Sequence, residues 1–280
     1  MQLAAHSFEF PTLSLENTCR VIAALELPAV DIGALKGYAH IDPDEIEADP
    51  AGVARRIQQA TGRCGLAVSD LFPSFGQGFA DRPINDPDPS VRTANRRRFE
   101  AFVETARSIG SPGITLLPGV LHPELGVEDS LELSAAAFRE CLPIAQEAGL
   151  RLSFEGHIGS IVDTPELALS LVDRAPGLTV TLDYSHFIAQ NISPERIHLL
   201  IPSTGHVHLR QARPGRVQVG AAEGTLDFVD ITRRLQLAGY EGYVTIEFTW
   251  QDWEGCKNVD NVAESVVIRD MLRPALTTLA

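Results

Sequence analysis

The chain is poor in three things, and each shortage excludes something. Cysteine is scarce: there are four in 280 residues, Cys19, Cys64, Cys141 and Cys256, far apart and with no CxxC pair. That spacing argues against a disulfide framework and a structural zinc site, and predicts buried free thiols in a reducing compartment. Positive charge is also scarce. Against 37 Asp and Glu stand 23 Lys and Arg, a formal net charge of -14. Nucleic acid and anionic membrane surfaces both require clustered cations, so neither is expected as a partner. Long apolar runs are missing too; none approaches the roughly 18 residues that a membrane span needs. The first residues, MQLAAHSFEF, lack the basic start and apolar run of a signal peptide. The expectation is a soluble, cytoplasmic protein.

What remains is the composition of an ordinary globular protein, 44% hydrophobic and 21% charged, with no composition break or long linker. Short runs rich in Val, Ile, Leu and Thr read as buried strands: residues 2–8, Ala29–Ile32, Leu66–Phe72, Gly113–Leu117, Leu150–Glu155, Leu178–Asp183, Gly205–Leu209 and Tyr243–Phe248. Helical periodicity fills the gaps at Leu15–Leu25, Pro50–Gly62, Arg92–Ser108, Ser130–Ala148, Pro165–Ala175, Pro194–Leu200, Phe228–Ala238 and Asp260–Leu276. Thr164-Pro165-Glu166 and Ser193-Pro194-Glu195 set a capping hydroxyl before a proline at the first helical position. Asp227 is placed to cap the helix that follows it. Gly110, Gly149 and Gly239 fall where a left-handed helix end favours glycine. Eight strands alternating with helices predict a (β/α)8 TIM barrel, an α/β fold in which residues 1–280 form a single domain. A doubly wound open sheet is the alternative, and the lack of a GxGxxG or Walker pattern weakens its nucleotide-binding form. The stretch Pro73–Pro89 reads as a long loop after the third strand, and Phe72, Phe75 and Phe79 are available either to cover a ligand or to pack the loop down. Arg96, Arg97 and Arg98 read as a solvated helix start.

The last four strands end in polar residues: Phe154-Glu155-Gly156-His157, Leu182-Asp183-Tyr184-Ser185-His186, His206-Val207-His208 and Ile246-Glu247. In such a barrel the C-terminal strand ends carry function. A carboxylate after buried apolar residues is costly unless it is paired or binds a metal. Glu155, Asp183, His208 and Glu247 together suit a divalent cation such as Mn2+, Mg2+ or Co2+, with Zn2+ also compatible. Alternation along the strand puts His206 and His208 on one face. His208 lies nearer the active end and is the expected ligand; His206, one layer deeper, is expected to hydrogen-bond to its neighbours. His186 is a candidate for substrate contact. His6 and His40 are candidates for the cavity or its rim, and Trp250 for a pocket wall.

From about Leu150 to Trp250 the chain resembles the xylose isomerase-like TIM-barrel superfamily, the sugar phosphate isomerase/epimerase group. The resemblance is carried by FEGH at Glu155, LDYSH from Leu182 to His186, GHVHLRQAR, GAAEGTLDF and GYEGYVTIE ending at Glu247. It implies that Glu155, Asp183, His208 and Glu247 are the metal ligands and that Glu155 and Glu247 are the acid/base pair of the epimerase branch. It implies His186 as a substrate contact and Arg213 as a second, with Arg210 as the alternative because the local sequence is one residue out of step. His157 and His6 complete the expected substrate-binding set. The implied activity is divalent-metal-dependent isomerisation or epimerisation of a sugar, sugar phosphate or related polyhydroxy keto compound through an enediolate. The alternative is a lyase, a dehydratase or decarboxylase, acting on a keto acid or inosose. The partner is then a small carbohydrate or keto acid, and a homo-oligomer is in keeping with the group. The endonuclease branch would need further His and Asp ligands and a basic groove, which this chain lacks.

Overall fold

A computed structural model describes residues 1–277. Eight strands close into a parallel barrel in sequence order: β1 (Gln2–His6), β2 (Ala29–Ala34), β3 (Ala67–Pro73), β4 (Gly113–Leu116), β5 (Arg151–Glu155), β6 (Thr179–Asp183), β7 (Thr204–Leu209) and β8 (Tyr243–Ile246). The last strand pairs with the first, Gln2 beside Tyr243 and Ala5 beside Ile246. Around them lie α1 (Leu15–Ala24), α2 (Pro43–Ala48), α3 (Pro50–Gly62), α4 (Pro89–Ser108), α5 (Gly126–Glu147), α6 (Pro165–Arg174), α7 (Tyr184–Ala189), α8 (Pro194–Ile197), α9 (Phe228–Leu237) and α10 (Asn261–Thr277). The predicted (β/α)8 barrel is therefore the fold, and the eight predicted strands coincide with the eight found. Among the described residues no helix is long and apolar enough to cross a membrane.

The local signals act as chemistry requires. Thr164 accepts from the amide of Leu167, and Asp227 from that of Asp230. Gly110, Gly149 and Gly239 have φ of 74°, 72° and 81°, closing α4, α5 and α9. Ser193 precedes a single turn and makes no capping bond. Two short helices, α2 and α7, were not foreseen; each is six residues long, too short to show a period. The four cysteines are unpaired, three of them buried and Cys64 half-buried. Burial pushes the Cys19 and Cys141 thiols up to about 12.

One expectation is corrected. Arg98 does not belong to a solvated helix start: it is 5% exposed. Its Nε donates to Glu47 at 2.7 Å, its Nη1 to the Phe75 carbonyl at 2.6 Å, and Asp44 lies 2.8 Å from Nη2. It ties the start of the β3–α4 loop to α2.

Inside the barrel the side chains are polar as well as apolar. Fully buried Asp70 accepts from Arg151 Nη2 at 2.8 Å and from Thr115 Oγ1 at 2.6 Å, and Thr115 meets Thr181 at 2.6 Å. Gly113 makes room for this pair, since a Cβ there would stand 2.6 Å from Arg151 Nη2. The network joins β3, β4, β5 and β6 below the site.

At the other end of the barrel, Glu9 sits in the turn after β1, 1% exposed. The Ser265 hydroxyl, on α10, donates to its Oε2 at 3.0 Å. Burial pushes this carboxyl well above the usual range, outweighing its hydrogen bonds. A group held protonated by the fold stabilises it below the ordinary carboxylate pKa of 4.5. That contribution is lost as pH rises through the elevated folded value. Glu9→Gln, which mimics the protonated form, should therefore flatten the fall in thermal midpoint between pH 5 and pH 8. The gain at pH 8 should be about 2–4 °C for each kcal/mol relieved; an unchanged slope in scanning calorimetry would refute the assignment.

Candidate metal centre

The strands are parallel, so their last residues emerge at one end. Glu155 and Asp183 are the last residues of β5 and β6, and Glu247 follows β8 directly. On β7 the period of two points His206, His208 and Arg210 inward in successive layers. Register sets Thr181 beside His206 and Asp183 beside His208.

Glu155, His208 and Glu247 each bring a ligand atom to within 4.8 Å of the others. His208 Nδ1 lies 2.6 Å from Glu155 Oε1 and 3.2 Å from Glu247 Oε1. Its Nε2 lies 3.0 Å from Asp31 Oδ2, which also accepts from His206 Nε2 at 2.8 Å and, through Oδ1, from Ser69. Asp31 thus holds both rings from below. A bulge in the β2–β3 register between Val30 and Asp31 accompanies this placement.

Arg210, 2% exposed, occupies the β6–β8 side. Nη2 donates to Asp183 Oδ2 and to His186 Nε2, both at 2.8 Å; Nε donates to Ser185 Oγ at 2.9 Å; Nη1 donates to the Glu247 carbonyl at 3.2 Å. Asp183 also accepts from the Ser185 amide at 2.7 Å and the Ser185 hydroxyl at 2.8 Å, capping α7.

With protein groups alone, burial would lower the His208 pKa, but Glu247, Asp31 and Glu155 reverse this and hold it well above the usual range. Burial works in the other direction on the acids. It pushes Glu247 well up, against His208 and Arg210. In Glu155 and Asp31 burial is overcome by their imidazole partners, and both are held down. Two carboxyls in one site are thereby set apart, one favouring the proton and one favouring the charge.

The cavity above the centre measures about 270 Å³. Glu155, His157, Arg210 and Glu247 form its floor, and Phe8, Phe72, Phe79 and Trp253 wall it. The His157 ring lies 4.5 Å from Phe79, 3.7 Å from His186 and 5.5 Å from Trp253. Of the three loop phenylalanines, Phe72 and Phe79 face the cavity, whereas Phe75 packs on Phe102 at 5.7 Å.

Several expected contacts fall elsewhere. Arg213 is exposed in the loop after β7, so the cation that reaches the floor is Arg210. His6 is fully buried beneath the cavity wall, stacked on Phe8 at 3.5 Å and 5.7 Å from His208. His40 is bound to Thr18 and the Phe10 carbonyl. Trp250 is 46% exposed, and Trp253 takes the wall position. His186 lies behind His157, its Nε2 occupied by Arg210. Asp183 stands outside the convergent group of Glu155, His208 and Glu247. Asp31 was overlooked, although an acid in the middle of PAVDIGA carries the same signal that marked the other acids.

The donor set fits a divalent ion. Two carboxylates and an imidazole, without a thiolate, suit hard and borderline cations. Glu247 Oε2 is buried and accepts no hydrogen bond, with Arg210 Nη1 beside it at 3.2 Å; one guanidinium does not offset Glu155, Asp183 and Glu247 together, which leaves charge for a further cation.

Residues 19–271 match the family described as the xylose isomerase-like TIM barrel. The chain belongs to that family. Within it, 176 residues are 28% identical to the Mus musculus protein named "Putative hydroxypyruvate isomerase", covering 57% of this chain and 62% of that relative. Among solved structures, D-psicose 3-epimerase from Clostridium cellulolyticum H10, determined with D-tagatose, superposes with a TM-score of 0.77 over 99% of each chain at 16% identity. The IolI protein with a bound zinc atom gives 0.74 over 100% of this chain and 99% of its own, also at 16% identity. The xylose isomerase-like barrel is thus shared at the level of fold.

Asp31→Ala would leave the two stacked imidazole layers without their common acceptor. Removing one partner of a buried ionic pair costs about 3–5 kcal/mol. Urea denaturation should show a loss of that size, against about 1–3 kcal/mol for Ser69→Ala; equal small losses would mean that Asp31 is not the anchor.

Proposed function

We propose that this protein is a divalent-metal-dependent isomerase or epimerase of a sugar, sugar phosphate or related polyhydroxy keto compound. The observation that carries the reading is the placement of Glu155 and Glu247 2.6 Å and 3.2 Å from His208 Nδ1, at the floor of one cavity. Family membership supports the class of chemistry, and the named relatives supply its type: an isomerase of hydroxypyruvate and a 3-epimerase of a ketose.

Glu155, His208 and Glu247 would hold the ion, with Asp31 fixing the His208 ring from behind. When bound, such an ion supplies Lewis acidity that polarises a substrate carbonyl and eases enediolate formation. The remaining work belongs to the chain. One glutamate carboxylate removes the proton alpha to the carbonyl. The other returns a proton to the opposite face for epimerisation, or to the neighbouring carbon for isomerisation. Phe8, Phe72, Phe79 and Trp253 exclude water, which strengthens each charge interaction inside and protects the enediolate from stray protonation. His157, at the cavity floor, is placed to donate to or accept from a substrate hydroxyl.

The lyase reading, loss of water or carbon dioxide from a keto acid or inosose, uses the same enediolate. It is favoured by one feature: Lys36, paired with Asp44, lines the cavity together with Arg210, so an acidic ligand would find two cationic residues in the lining.

Glu155→Gln and Glu247→Gln should each lower kcat by about 10²–10⁴-fold, the usual weight of general acid–base catalysis. Chelation should abolish turnover, and Mn2+, Mg2+ or Co2+ should restore it. A product-resolved assay of keto sugars, keto acids and inososes separates the outcomes: an isobaric product supports isomerisation, and loss of 18 or 44 mass units (about one water or one carbon dioxide) supports the lyase. Full turnover by either glutamine variant would end the acid/base assignment.

A further inference from the structure

We infer that the ion is held by three protein donors only, Glu155, His208 and Glu247, and that Asp183 is instead the anchor of Arg210, which keeps it out of the ligand set. This rests on the metal-dependent reading above and departs from the four-residue set that the strand ends suggested.

Asp183 is committed at both oxygens. Oδ1 accepts the Ser185 amide; Oδ2 accepts the Ser185 hydroxyl and Arg210 Nη2. These bonds cap α7, the helix that carries His186, so turning the carboxylate toward the centre would uncap that helix. The other carboxylate partner of Arg210, Glu247 Oε2, stands at 3.2 Å, farther than Asp183 Oδ2 at 2.8 Å and without a hydrogen bond. The Arg210 guanidinium stays charged at any relevant pH, and it is buried among Asp183, Ser185, His186 and Glu247. Taking Asp183 away would strand most of a buried cation, which is the strongly unfavourable case.

Charge leads to the same division. Asp31, Glu155, Asp183 and Glu247 are four carboxyl groups in one dry mouth, and two cations are needed to hold them together. Arg210 already neutralises the β6 side, so a divalent ion is most favourable on the far side of Glu247, toward Glu155 and His208. An ion drawn to Asp183 would instead approach the guanidinium 2.8 Å from that carboxylate. The position follows from the period of β7: Arg210 lies two residues beyond His208 and so shares its face. With three protein ligands the ion keeps open positions, the condition for two substrate oxygens to bind together. Arg210 is in this sense a positioning residue, acting through Asp183 and Glu247.

The test is Mn2+ binding by equilibrium dialysis with metal analysis on the purified full chain, which needs no substrate. Asp183→Asn should bind Mn2+ within about twofold of the parent, the scatter of an uncoupled site. Glu155→Gln and Glu247→Gln should each weaken binding by at least about tenfold. Arg210→Met should tighten binding by about tenfold, since Asp183 is then free to join, and adding Asp183→Asn should erase that gain. This coupling is a signature that a purely structural role would not give, and it stands if Asp183→Asn alone fails to fold. If Asp183→Asn weakens Mn2+ as much as Glu247→Gln while its unfolding midpoint matches the parent, the inference is overturned and the metal reading survives. No gain from Arg210→Met overturns it as well. A parent chain that binds no Mn2+ overturns both.

Discussion

The structure depends on keeping carboxylates together where water cannot screen them. Asp31, Glu155, Asp183 and Glu247 are each no more than 2% exposed, and like charges at such range cannot all persist alone. The protein answers with directed partners. Asp31 is shared by two imidazoles, Glu155 is bound to one of them, and Asp183 is clasped by a guanidinium and a helix start. Glu247 is left with the fewest hydrogen bonds: its Oε2 accepts none and meets only the Arg210 guanidinium, at 3.2 Å. The carboxyl with the fewest hydrogen bonds is also the one that burial raises toward the proton-holding state.

The barrel is built to bear this load. The β7 side chains His206, His208 and Arg210 form a column of hydrogen-bonding groups facing the acids of β2, β5, β6 and β8. Beneath them, Asp70, Arg151, Thr115 and Thr181 complete a second network across four strands. Within each network the members fix one another's rotamers, and above, Asp31 ties His206 to His208. Buried ionic networks of this kind specify arrangement more than they add stability.

The architecture was legible because it rests on repetition: eight apolar runs, each followed by a helical period, need no detailed chemistry to be read. The acids of β5, β6 and β8 and the paired histidines of β7 were legible because polar groups interrupt buried runs there. Asp31 interrupts β2 in the same way, but it lies in the first half, where no motif drew attention to it. Arg213 and Arg210 both stood open in the sequence; Arg213 lies in an exposed turn beyond β7, whereas Arg210, two residues past His208, turns inward to Asp183. Trp253 could not be read from sequence, because its approach to His157 depends on a turn in which Glu254 and Gly255 adopt positive φ. Nor could the partner of Asp183 be read, since ligand and ion-pair partner are identical in sequence and differ only in which cation arrives first.

That last distinction bears on how one barrel serves several reactions. A set of acids at strand ends defines a place for positive charge, but it does not say whether a metal ion or a side chain supplies it. Where a guanidinium supplies part, an ion would find fewer protein ligands and leave more of its coordination to the substrate. Here the guanidinium lies on the β6–β8 side, and Phe72, Phe79 and Trp253 line the same cavity. A small molecule in this cavity would meet a fixed cation, apolar rings and two glutamates. On the proposed function, such a cavity suits a compact molecule with adjacent oxygens on one edge, and the choice among proton return, proton shift and elimination would fall to what that molecule carries on its next carbon.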